Sequence, residues 1–181
     1  IAIVFAFASL GLAPAYAVDE RVIDVVAVTW NGAATALSNP KTIAGVIDTE
    51  VNADWKKFTT MVGATTDRTI SFKTGKVLET PITLPSKMAC TGSAASEFMT
   101  SIRSEAYRRL GVANSFNRYL VVYSPKAGCV WSGRAGLGGP KSVSGTLVLH
   151  DSDSSFVIAH ELGHTFGLGH SNFLRCDNGA K

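Results

Sequence analysis

Residues 145–170 read GTLVLHDSDSSFVIAHELGHTFGLGH, and the fold is legible outward from them. Gly145 to His150 is a short apolar run between turn-forming residues, which predicts a strand. Asp153 or Ser154 then offers a helix cap, since a short polar side chain and negative charge both suit a helix N-terminus. A helix is expected from there to about Phe166. Gly167 follows at the place where a left-handed residue can stop a helix without a Cβ penalty. The Asp151-Ser152-Asp153-Ser154 run faintly resembles a calcium loop, but capping explains it more simply.

Upstream, the chain alternates between β-branched runs and helical periodicity. Arg21 to Trp30 (RVIDVVAVTW) has the composition of a buried strand. Pro40 opens a stretch in which Ile43, Val46, Ile47, Val51 and Trp55 recur at spacings of three and four, predicting mostly helix over 41–61. Thr69 to Phe72 and Lys76 to Leu84 read as two strands joined by a turn at Thr74-Gly75-Lys76, the second an edge because of Pro81. Ser93 to Leu110 reads as a helix with a Ser cap, an apolar face of Phe98, Ile102, Ala106 and Leu110, and a stop at Gly111. Tyr119 to Tyr123 is a fully apolar strand, and the five glycines of 128–139 predict a loop. Trp30, Trp55, Phe98 and Tyr107 are expected in the core. Strands alternating with long helices give an α/β (α+β) layer architecture around a mixed sheet.

The 181 residues fit one domain with a real core. Hydrophobic residues are 46% and charged residues 17%, which excludes a disordered chain or a coiled coil. The net charge of +3 is spread along the sequence without a basic run, which argues against nucleic acid as a partner. Residues 1–18 carry no charge, and Pro14 with Ala15-Tyr16-Ala17 predicts a secretory signal peptide over 1–17, cleaved after Ala17. The mature domain, 18–181, would then be secreted without a stable membrane anchor; an uncleaved anchor is the alternative. In that oxidising setting the odd number of cysteines suggests one pair and one orphan. Cys90 and Cys129, both in Gly- and Ser-containing loops, are the expected pair, with Cys176 left over.

The chemistry lies in His160-Glu161-Leu162-Gly163-His164-Thr165-Phe166-Gly167-Leu168-Gly169-His170, which holds three of the four histidines. For this composition, chance would produce the H-E-x-x-H-x-x-G-x-x-H pattern on the order of once in 10⁵ such chains. His160 and His164 lie one helical turn apart on one face. Gly167 lets the chain reverse, so that His170 can reach the same ion. Three neutral nitrogens and an open fourth position predict one catalytic Zn²⁺. Glu161 is adjacent to the ligands without being one of them, and its carboxylate can accept a proton from metal-activated water and hand it to a departing amine. A metal site that has lost activity and serves as a binding module is the alternative. His150 and Arg134 are read as surface residues without a role.

These residues resemble the metzincin zinc endopeptidases, and among them the gametolysin-like peptidases. The likeness rests on the histidine motif and on Cys129-Val130-Trp131, the glycine-rich run from Ala135 to Pro140, the Asp/Ser loop before the helix, and His170-Ser171-Asn172 with Cys176 beyond. It implies a metzincin-type N-terminal subdomain: a twisted mixed sheet with two long helices and an active-site helix. It implies an extended peptide or protein substrate, from extracellular, cell-wall or matrix proteins. It further implies that the strand before the active-site helix is a substrate-binding edge, which assigns substrate contacts to Gly145, Thr146, Leu147 and Val148. Met61, Met88 and Met99 all precede the motif, so the methionine turn of the family is expected beyond Lys181.

Overall fold

The computed structural model describes residues 17–33, 39–55, 68–113, 117–139, 142–150 and 152–170. The elements are β1 (Ala17–Trp30), α1 (Pro40–Val46), β2 (Arg68–Leu84), α2 (Gly92–Leu110), β3 (Arg118–Ser124), β4 (Gly133–Ala135), β5 (Gly145–His150) and α3 (Ser155–Thr165). The helix α1 continues as a π-helical stretch, Ile47–Val51, and is helical again over 52–55. The expected signal peptide, residues 56–61 of the expected long helix, and Cys176 lie outside the described residues, apart from Ala17.

The five strands form one mixed sheet in the order β2-β1-β3-β5-β4. Four are parallel, and β4 runs antiparallel to β5. Parallel strands need crossovers, supplied here by the helical run between β1 and β2 and by α2 between β2 and β3. Interior strands buried on both faces read as unbroken apolar runs, as β1 and β3 do. Successive residues of β3 divide between two cores. Tyr119, Val121 and Tyr123 join Ile43, Ile47, Trp55, Ile158 and Leu162 on one face. Leu120 and Val122 join Ile102, Ala106, Tyr107 and Leu110 on the other. The layers are therefore α1 with α3, the sheet, and α2.

Helix α2 matches its expected span, but its N-cap is Thr91, which makes no side-chain capping bond. Its stop is Gly111 at φ +62°, where the left-handed cap costs no Cβ strain. Trp30, Trp55 and Tyr107 are buried as expected, and Phe98 packs partly buried against the α2 core.

Three expectations are corrected. The two strands expected around Thr74-Gly75-Lys76 are one strand, β2. The pairing steps from Ile23↔Thr74 to Val25↔Val77, so the three residues form a bulge rather than a turn. The bulge makes room for the buried carboxylate of Asp24, which accepts from the Lys76 N–H at 2.7 Å and from Arg118 Nε at 2.6 Å. A Cβ at Gly75 would come within 2.5 Å of Arg118 Nη2 and Val22 Cγ1, so only glycine fits. A second irregularity between Val26 and Val28 absorbs Pro81, and β2 is an edge strand as expected. The glycine-rich loop contains a strand, β4. And β5 is not an edge: β3 pairs with one side of it and β4 covers the other at Leu147, Val148 and Leu149.

Asp24 joins β1, β2 and β3 through one carboxylate, so its removal strands a partly buried guanidinium and an amide. Asp24→Ala should lose about 3 kcal/mol of stability, read as a lower midpoint in urea unfolding with an unchanged slope.

Candidate metal centre

Helix α3 starts after Ser154, which is its N-cap without a side-chain bond. Ile158 and Leu162 bury one face, and Phe166 ends the helix. The Phe166 ring lies 5.3 Å from Trp55, 5.7 Å from Tyr119 and 6.2 Å from Phe72 by centroids. Gly167 follows at φ +89°, and its N–H donates to the His164 carbonyl at 2.9 Å. Leu168 N–H donates to the Gly163 carbonyl at 3.0 Å. The chain thus turns back along the helix and presents His170 to the side chains of His160 and His164.

The three imidazoles converge. His170 Nε2 is 3.1 Å from His164 Nε2 and 3.2 Å from His160 Nε2. One ligand atom from each lies within 4.8 Å of the others. A tetrahedral ion with metal–nitrogen bonds of about 2.0–2.1 Å holds its ligand nitrogens roughly 3.3 Å apart, so the set fits one metal ion. The His164 Nδ1–H donates to the Leu168 carbonyl at 2.6 Å. A carbonyl only accepts, so the proton sits on Nδ1 and the Nε2 lone pair faces inward. Burial, then the neighbouring His164 and His170 charges, hold His160 below its usual pKa, favouring the neutral ligand form.

Glu161 is 5% exposed although it carries a carboxylate. Burial raises its pKa, opposed by His164 and by the main-chain N–H of Ala135. Among the described residues its Oε2 has no hydrogen-bond partner. Such an orphaned, buried oxygen next to three converging imidazoles fits a site for a metal ion and its reactants. A cleft of about 870 Å³ opens on the histidines and is walled by Trp55, Phe156, Ala159 and Leu168.

Four of the predicted residues, Glu161, His160, His164 and His170, therefore stand together. Of the expected substrate strand, Leu147 and Val148 pair with β4, and the Gly145 carbonyl accepts from Arg103 Nη1 at 2.7 Å. The edge beside the site is β4, and its contact with Glu161 is close. A Cβ at Gly133 would lie 2.7 Å from Glu161 Cγ and Oε1 and 2.8 Å from Val157 Cγ1. The glycine-rich composition was visible in sequence, but nothing local told that Gly133 and Ala135 face Glu161.

Two residues read as surface are corrected. His150 is 4% exposed, accepts from the Ala127 N–H at its Nε2, and packs 5.6 Å from the Trp131 ring. Arg134 Nη1 donates to the Cys90 carbonyl at 3.1 Å, an oxygen that also accepts from Trp131 Nε1 at 2.9 Å. Cys90 and Cys129 form the expected disulfide, with Cα atoms 5.3 Å apart. It ties the loop before α2 to the approach to β4.

No curated protein matches the chain. Among solved structures, one described as "Structure of a chaperone-substrate complex" overlaps 85% of this chain at 17% identity and a TM-score of 0.40. This chain spans 27% of that one's length, and the overlap carries no argument about function. The family comparison is of another kind. Residues 22–177, nearly all of the chain, match the family described as Gametolysin peptidase M11. A metallopeptidase family of that description agrees with three imidazoles converging beside a buried carboxylate, and the chain belongs to the gametolysin peptidases.

Proposed function

We propose that the chain is a secreted zinc endopeptidase of metzincin type, cutting peptide bonds in extracellular, cell-wall or matrix proteins. The observation that carries the reading is the convergence of His160, His164 and His170 on one point beside the orphaned carboxylate oxygen of Glu161. Three imidazole donors suit zinc, and they would hold it with room for a further ligand. When bound, the ion supplies Lewis-acid polarisation of the scissile carbonyl and lowers the pKa of water.

The chain's own residues supply the rest. Glu161 takes the proton given up by the attacking water and returns it to the departing amine, so the peptide bond is exchanged for a carboxylate and an amine. The N–H of Ala135 and the glycine at 133 keep that carboxylate turned into the site. The extended substrate adds to the outer side of β4, main chain to main chain, at the groups that Glu161 does not take. The opposite sheet edge is blocked where it meets the first helical run: Asn52 binds both the N–H and the carbonyl of Phe72, and Asp48 accepts from Thr74 N–H at 2.7 Å. The hydrophobic leader and the Cys90–Cys129 bond support secretion.

His164→Ala should bind zinc far more weakly than the wild-type protein, and a chelator should abolish peptide hydrolysis in the wild type. Stoichiometric zinc in that variant by metal analysis would overturn the ligand assignment. Glu161→Gln keeps the size of the side chain but cannot take a proton. It should retain zinc and its fold while hydrolysis falls by about 10²–10⁴; near-normal turnover would remove Glu161 as the base. Methylating single main-chain amides of a peptide substrate beside the scissile bond should lower kcat/KM roughly five- to tenfold where a strand hydrogen bond is lost. Uniform tolerance at every position would exclude strand addition at β4.

A further inference from the structure

The glycine-rich segment after β4 lies against the end of α3 at the point where the chain reverses toward His170. Gly138 N–H donates to the His164 carbonyl at 2.9 Å, the same oxygen that accepts from Gly167 N–H at 2.9 Å. The approach leaves no room for a side chain. A Cβ on Gly138 would lie 2.8 Å from the Thr165 carbonyl carbon, closer still to its oxygen, and 2.6 Å from Ser142 Oγ. The contact is mutual, because a Cβ on Gly167 would lie 3.2 Å from the Gly138 oxygen and 3.2 Å from Gly139 Cα. Backbone is packed on backbone, so neither side can yield by changing a rotamer.

The segment is itself held in place. Ser142 Oγ accepts from Gly139 N–H at 2.8 Å, and Ser142 N–H donates to the Gly139 carbonyl at 2.8 Å. The Ser142 carbonyl accepts from the Tyr119 hydroxyl at 2.8 Å. Burial pushes the Tyr119 phenol up to about 12, so it stays a donor throughout the neutral range. Tyr119 is also one of the rings packed on Phe166. The segment and the helix end thus share one anchor in the core.

The connection runs on to the metal ligands. The reversal at Gly167 sets where the Leu168 carbonyl stands, and that carbonyl fixes the tautomer and direction of His164. The same reversal carries His170 into the site. We propose that Gly138 is a positioning residue of the metal centre, setting through the His164 carbonyl and Gly167 the arrangement of His164 and His170. The proposal rests on the reading of the three histidines as ligands to one ion.

The test is titration of cobalt(II), as a spectroscopic stand-in for zinc, into the metal-free intact protein. Gly138 does not hold a left-handed φ, so Gly138→Ala adds only steric bulk. It should weaken cobalt binding about 10- to 100-fold and alter the visible bands of the bound ion, while far-ultraviolet circular dichroism of the metal-free protein stays unchanged. Gly136→Ala is the control, since a Cβ there meets nothing within 4 Å, and it should bind cobalt normally. Ser142→Ala removes an anchor without adding atoms and should weaken binding about fivefold, the worth of one hydrogen bond. Wild-type affinity and bands in a folded Gly138→Ala protein overturn the proposal. If Gly138→Ala does not fold, Ser142→Ala decides: weakened binding supports it and wild-type binding overturns it. A wild-type protein that takes up no cobalt overturns the metal reading and this inference with it, whereas equal binding by wild type and variants overturns this inference alone.

Discussion

Phe166 is pinned among Trp55, Phe72 and Tyr119, and one residue later the chain reverses at Gly167. The convergence of the three histidines depends on that sequence of events. Residues 160 and 164 are brought together by helical geometry alone, but the third histidine reaches them only if the helix ends at a fixed place and turns back at once. An aromatic anchor fixes the place and a left-handed glycine makes the turn. Residues from β2, β3, the first helical run and the end of α3 meet at this anchor, so burying the core and bringing the three histidines together are one event.

The two edges of the sheet are treated differently. At β2 the outward main-chain groups of Phe72 and Thr74 are taken by Asn52 and Asp48, side chains of the first helical run. That answers the general problem of an exposed strand edge, which invites unwanted pairing. At the other end, β4 is three residues long and lies over Glu161. The disulfide and the Cys90 carbonyl, which binds Trp131 and Arg134, tether β4 from outside. Short length limits aggregation while leaving an edge beside the site.

Polar groups inside this fold fall into two kinds. Asp24 and His150 are buried and satisfied, and both join elements: Asp24 unites three strands and His150 holds the turn at Ala127. Glu161 is buried and, at Oε2, unsatisfied among the described residues. Burial raises the proton affinity of that carboxylate, opposed by His164 and the Ala135 N–H.

The sequence by itself determined what depends on near neighbours. The spacing of His160, His164, Gly167 and His170 prescribes a ligand set, because helical rise and a left-handed glycine are local properties. The same holds for α2 with its Gly111 stop and for the apolar strands β1, β3 and β5. Only the tertiary structure decided which strand lies at the edge. Gly145 to His150 looks the same in sequence whether its second side is open or covered by β4, since pairing between distant segments leaves no periodic mark. Likewise Thr74-Gly75-Lys76 has the composition of a turn, and it became a bulge because Asp24 and Arg118, distant in the chain, needed the space that glycine leaves. His150 and Arg134 looked exposed because their partners, the Ala127 N–H and the Cys90 carbonyl, are brought to them by folding. The contact of Gly138 with the helix end was hidden for the same reason: composition shows that a glycine is present, and only the packing of backbone on backbone shows why nothing larger fits.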